Sequence, residues 1–189
     1  GDTMTLLNLW LPILVAAIGV FVASSLIHMV FKWHNSEYRP LPNEDEVRKV
    51  LNSVQLEAGL YSTPHCTDMK EIESEAMQQK FREGPVALIT LRTPGAPAMG
   101  QYLTQWFILN LVIAGLGGLL ALQAYGLHAN PAVAGHFVGI FSLIAYGCGT
   151  VQESIWMGRP WSASLKNLLD ALIYGTVSAI AFWQLWPSP

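Results

Sequence analysis

The run LLNLWLPILVAAIGVFVASSLIHMVFKWH, Leu6–His34, stays apolar until its first positive charge at Lys32. A membrane-crossing helix needs about 20 predominantly apolar residues, and this run exceeds that. It has no basic residue ahead of it and outlasts a signal-peptide core, so it reads as a permanent helix rather than a cleaved leader. Gly1, Asp2 and Thr3 precede a Met4 that reads as the start, and they carry no functional reading. Three further runs match the first, and the expected spans are residues 5–31, 103–126, 132–152 and 165–187. With 52% apolar and 12% charged residues, the chain has about half the charge of a typical soluble domain.

Basic residues orient these spans. Lys32, Arg39, Arg48, Lys49, Lys70, Lys80, Arg82, Arg92, Arg159 and Lys166 all lie between helices 1 and 2 or near the turn between helices 3 and 4. The positive-inside rule then puts residues 32–102 in the cytoplasm and both termini in the periplasm of a bacterial inner membrane. Trp10, Trp183 and Trp186 are expected at the outer boundary, and Trp33, Trp106, Trp156 and Trp161 at the inner one, as aromatic belts. Small residues recur four apart at Ala114 and Gly118, Gly135 and Gly139, and Ala171, Gly175 and Ala179, which permits close helix approach.

The segment 32–102 is too long for a connector and is expected to fold as a small cytoplasmic α+β subdomain. Asn43 reads as an N-cap with Glu46 completing a capping box, followed by the stripe Val47, Val50, Leu51 and Val54. A second helix is expected from Asp68 to Arg82, with Ile72, Ala76, Met77 and Phe81 on its buried side, and a strand from Val86 to Leu91. RTPGAPAMG, Arg92–Gly100, reads as a linker. The fold class is thus an all-α membrane protein of four transmembrane helices, with this subdomain between helices 1 and 2 and residues 103–187 forming a three-helix region.

Phosphate loops, HExxH, GxSxG and CxxC motifs are absent from the sequence, so no catalytic residue and no enzyme activity is assigned. Cys66 and Cys148 both fall on the reducing side, against a structural disulfide. His28 and His136 lie in opposite leaflets, which excludes a shared bis-histidine haem, although either alone is a candidate pigment or haem ligand. Each follows a small residue four positions earlier, Ser24 and Ala132. No second histidine is expected at the level of His28, so a packing contact is the competing reading. His28, Glu153, Lys166 and Asp170 form an inner-leaflet polar cluster. Its alternative reading is a Lys166–Asp170 pair along the helix, with Glu153 and Arg159 at the headgroups. His34, His65 and Cys66 are candidate metal ligands. Trp156, Arg159 and Trp161 are candidate lipid or partner contacts, and Ser162 or Ser164 is expected to cap helix 4.

The phrases SLIHMVFKWHNSEY, LPNEDEVR, GLYSTPHC, GPVALITL, MGQYLTQWF and SIWMGRPWSASLKNLLDALIYG resemble a group of bacterial four-span membrane proteins of unassigned function. The resemblance covers nearly the whole chain and implies a bacterial source and four spans, with no catalytic residues. The leading expectation is a non-catalytic accessory or assembly subunit of a larger photosynthetic or respiratory membrane complex. Its partners are then membrane lipids and larger integral subunits, without nucleic acid and without a required cofactor. The alternatives are a small transporter or ligand-binding membrane protein using the inner-leaflet cluster, or a protein binding pigment or haem through a single histidine.

Overall fold

The computed structural model describes residues 6–187, so Gly1–Thr3 and Met4 lie outside the described residues. Chain order is α1 (Trp10–Leu26), α2 (Glu44–Ser53), β1 (Gly59–Thr63), α3 (Met69–Ile72), α4 (Glu75–Glu83), β2 (Ala87–Leu91), α5 (Met99–Tyr125), α6 (Pro131–Trp156) and α7 (Trp161–Leu185). A π-helical turn, Ile27–Phe31, continues α1, and a 3-10 turn, Trp33–Glu37, follows it. Four helices are long and apolar enough to cross a membrane: Leu7–Phe31, Met99–Tyr125, Pro131–Trp156 and Trp161–Leu185. The later helices extend past their expected apolar limits because a helix needs only its own backbone bonds to run on into polar surroundings. Thus α5 begins within the expected linker, and α7 begins directly after Pro160, which supplies no side-chain cap. Ser162 and Ser164 are therefore not the caps. Ser164 Oγ instead bonds Ser154 Oγ at 2.6 Å and the Thr150 carbonyl at 2.8 Å, joining α7 to α6.

The chain divides into two compact units, one joining residues up to Arg39 with those from Ala98 onward, the other Pro40–Pro97. In the helical unit, α6 and α7 pack most extensively, and α1 lies against α7 and α5. Their closeness depends on missing side chains. A Cβ on Gly139 would meet Ala179 Cβ at 2.7 Å and the Gly175 carbonyl at 3.0 Å, and one on Gly135 would meet the Ala179 carbonyl at 2.7 Å. The four-residue spacing of small residues is thus the α6–α7 contact itself. The core divides into a cluster around Leu9, Val138, Phe182 and Trp186, and a second around Val20, Ile27 and Tyr174 backed by Trp33, Trp106 and Tyr146. Outward positions such as Ile18, Val22, Val112, Ile140 and Ile180 are exposed and apolar. The bundle therefore carries a broad apolar outer surface.

Three of the expected boundary tryptophans are used inside. Trp186 is 3% exposed and donates to the Leu127 carbonyl at 2.9 Å, Trp106 donates to Ser24 Oγ at 2.9 Å, and Trp33 turns to α7. Trp10, Trp156, Trp161 and Trp183 are exposed.

In the Pro40–Pro97 unit, β1 pairs antiparallel with β2 from Gly59 opposite Leu91 to Thr63 opposite Ala87. The strand β2 is expected from sequence but its partner β1 is not, since GLYST is short and begins with glycine. Asn43 precedes α2, but with φ at 55° it sits in the left-handed region and its side chain makes no cap bond. Asparagine tolerates that conformation, and its carbonyl accepts the first turn's amides from Glu46 and Val47. The helix expected from Asp68 to Arg82 is two helices. Ser74 turns extended and accepts from the Met77 amide at 3.3 Å, starting α4 anew, while Asp68 caps α3 through the Lys70 amide at 2.9 Å. Of the apolar positions expected to be buried there, Met77 is fully so.

Candidate functional site

The apolar rod of α1 does not simply leave the bundle. After the π turn, Lys32 adopts φ 54° and its amide bonds the Ile27 carbonyl at 2.8 Å. That left-handed step reverses the chain, and the Trp33–Glu37 turn folds back against α7. Lys166 fastens it, its Nζ donating to the Trp33 carbonyl at 2.7 Å and to Ser36 Oγ at 2.6 Å. Lys166 and Asp170 make no ion pair among the described residues, so the expected pair along α7 does not form, and Lys166 holds the turn instead.

Asp170 is 4% exposed and meets the returning turn instead. Trp33 Nε1 donates to Asp170 Oδ1 at 3.1 Å, and His34 Nε2 lies 2.7 Å from Asp170 Oδ2. His34 Nδ1 lies 2.5 Å from Glu37 Oε1. Arg159 Nη2 donates to Glu37 Oε2 at 3.0 Å, and its Nη1 to Glu153 Oε2 at 2.5 Å. One chain of acidic and basic side chains thus runs Asp170, His34, Glu37, Arg159, Glu153. A neutral imidazole has a single N–H, whereas both ring nitrogens of His34 face carboxylate oxygens. Trp33 Nε1 also donates to His34 Nε2, at 3.0 Å.

Burial pushes the Glu37 carboxyl up, but hydrogen bonds from His34 and Arg159, and their charges, outweigh it and hold the group below its ordinary value. Burial likewise opposes the charged form of Arg159, yet its bonds to Glu153 and Glu37 raise it. Both groups are therefore kept ionised. His28 completes the cluster: its ring centroid is 4.8 Å from that of His34, its side chain is exposed, and it makes no hydrogen bond among the described residues. The expectation that no histidine shares its level fails, because the chain reversal brings His34 back to it. Beyond Asp170, the rings of Tyr174, Tyr146 and Trp106 pack together at 5.2–6.1 Å. Tyr146 donates to Asn110 Oδ1 at 2.9 Å, while Asn110 Nδ2 and Ser142 Oγ are buried without a hydrogen-bond partner among the described residues.

The remaining sequence candidates stand apart from this cluster. His136 Nδ1 lies 2.8 Å from the Ala132 carbonyl, so the small residue before it serves as backbone acceptor. Its ring borders an open apolar groove of about 390 Å³ between α6 and α7. Ser24 Oγ, the small side chain before His28, bonds Phe21 O and Trp106. His65 pairs with Ser62 Oγ at 3.0 Å. The Cys66 thiol donates to the Asp68 carbonyl at 3.2 Å, and burial together with Glu71 pushes it up. Both belong to the Pro40–Pro97 unit and His34 to the helical one. Among the described residues, the metal-capable trio is His28, His34 and Asp170.

Sequence reasoning missed Glu37 and Trp33 as members, and put His34 and Arg159 in other groups. The spacing His34-x-x-Glu37, one helical turn, was the available signal. No family model, curated protein or solved structure matches the chain.

Proposed function

We propose that the chain is a multi-pass protein of the bacterial inner membrane, with both termini outside, whose cytoplasmic-end cluster binds a small cation. The grouping of all ten Lys and Arg residues supports the orientation. The observation that carries the reading is His34, clasped between the carboxylates of Glu37 and Asp170. Buried ionic groups contribute little to stability compared with apolar side chains of similar size, and ionisable groups in a membrane bundle mark ligand or ion sites by default. No catalytic group takes part in this reading.

Thermal unfolding of the purified full chain in mild detergent tests it, across pH and with sodium, potassium, magnesium, calcium, zinc and cobalt ions. A ligand at a hundred times its Kd stabilises by about 2.7 kcal/mol. At least one cation, the proton included, should raise the midpoint of the wild type and leave Asp170→Asn unmoved. Equal responses in both proteins would overturn the reading. The accessory-subunit alternative is favoured by one observation, the exposure of Leu60 and Leu88 on one face of the β1–β2 sheet. It predicts that large membrane subunits co-purify with the wild type and are lost in Leu60→Ser, whatever happens at Asp170.

A further inference from the structure

We propose that His28, His34 and Asp170 bind one divalent first-row transition-metal ion, of the zinc, iron or cobalt kind. The inference rests on the cation-site reading and gives the cation its chemistry. One donor atom from each of the three side chains lies within 4.8 Å of the others. A tetrahedral ion with bonds of about 2.0–2.1 Å sets its ligands roughly 3.3 Å apart, so the gap closes by a modest rotation. His28 is free to make it, since no hydrogen bond holds its ring among the described residues. Two imidazoles and one carboxylate suit zinc, iron, cobalt or nickel. They lack the all-oxygen shell that magnesium and calcium require and the thiolates that favour copper(I).

The surroundings match a metal centre more closely than a plain ion pair. A metal-bound histidine characteristically directs its other ring nitrogen at a carboxylate, which fixes the ring and raises its basicity. His34 does this with Glu37, at 2.5 Å from Nδ1, leaving Nε2 beside Asp170 Oδ2 at 2.7 Å and the Trp33 indole N–H at 3.0 Å. Arg159 secures Glu37 in turn at 3.0 Å, and Trp33 Nε1 holds Asp170 Oδ1 so that Oδ2 faces the site. The backbone contributes as well, because the π turn that ends the α1 rod carries His28 and the left-handed Lys32 after it leads into the turn that carries His34. Three protein ligands leave at least one coordination position open, as in sites that exchange water or substrate.

The test is visible absorption of the full chain in detergent on adding cobalt(II), followed by zinc competition. A ligand-field band saturating at about one cobalt per chain and displaced by zinc is expected. His28→Ala should weaken cobalt binding at least tenfold while leaving the metal-free unfolding midpoint unchanged. Glu37→Gln should weaken it by about 10–100-fold through the loosened His34 ring. A band that survives His28→Ala and Asp170→Asn, or no band in the wild type, would overturn the metal assignment. If cobalt gives no band yet a proton or alkali cation still stabilises in an Asp170-dependent way, the metal inference alone fails. If no cation stabilises at all, the cation-site reading fails with it.

Discussion

The two ends of the helical bundle solve the same packing problem with different materials. Away from the basic residues, Leu9, Val138, Phe182 and Trp186 close the core, and glycines on α6 let α7 approach to backbone contact. Trp186 Nε1 there donates to the Leu127 carbonyl at 2.9 Å. At the basic end, the comparable space holds Asp170, His34 and Glu37, with side-chain exposures of 6%, 13% and 7%. Small and apolar residues suffice to hold helices together, as the first end demonstrates. The second end therefore carries a desolvation cost that packing does not require, and the proposed cation binding would account for it.

That contrast is broken most directly at Asp170. Removing one partner of a buried ionic pair strands the other and costs about 3–5 kcal/mol, whereas replacing both with apolar groups is often neutral. Asp170→Leu should therefore lower stability by about that amount, and His34→Leu combined with Asp170→Leu should recover at least half of it. Unfolding in detergent measures both. The double variant should also lose every cation response while keeping its fold. If the double variant is as unstable as the two single losses added together, the cluster is a structural support and the two ends do not differ in purpose.

A smaller effect is expected at the apolar end. Gly135→Leu drives a side chain toward the Ala179 carbonyl and Trp183, both within 2.9 Å of its Cβ. Overpacking of this kind costs about 1–3 kcal/mol. The cation response, measured as the shift in midpoint, should remain that of the wild type. A lost response would mean that the two ends are coupled through α6 and α7.

What could be read in advance follows the same division. An apolar run longer than about 20 residues reads as a long helix, so the four long helices were legible from Leu6–Phe31 and its three counterparts. The Gly135, Gly139, Gly175 and Ala179 spacing already described a close helix contact. The site was half legible. Depth along the helices put His28, Glu153, Lys166 and Asp170 in one inner-leaflet cluster, but nothing in the sequence announces that Lys32 turns left-handed after a π turn. Without that reversal His34 and Glu37 read as the start of a loop, and Lys166 defaults to its neighbour on α7. In the other unit, Ser74-Glu75 carried a helix-start signal that a single apolar stripe overrode. Asn43 marked the right position through backbone tolerance rather than through a side-chain cap.

The finest comparison is a matched pair of hydrogen bonds. Lys166 Nζ donates to the Trp33 carbonyl at 2.7 Å at the basic end, and Trp186 Nε1 donates to the Leu127 carbonyl at 2.9 Å at the other. Each ties a side chain to the backbone of a turn distant in sequence. Lys166→Met and Trp186→Phe remove these bonds while keeping most of the apolar bulk, and each should cost about 1 kcal/mol. Stability alone would then rank the two variants together. They should separate in binding, because Lys166 holds the turn that carries His34 and Glu37, whereas Trp186 holds nothing that touches the cluster. Cobalt affinity should fall several-fold in Lys166→Met, from loss of preorganisation, and stay at the wild-type value in Trp186→Phe. If both variants bind cobalt as the wild type does, the turn holds its shape without Lys166, and the site's geometry comes from His34, Glu37 and Asp170 alone.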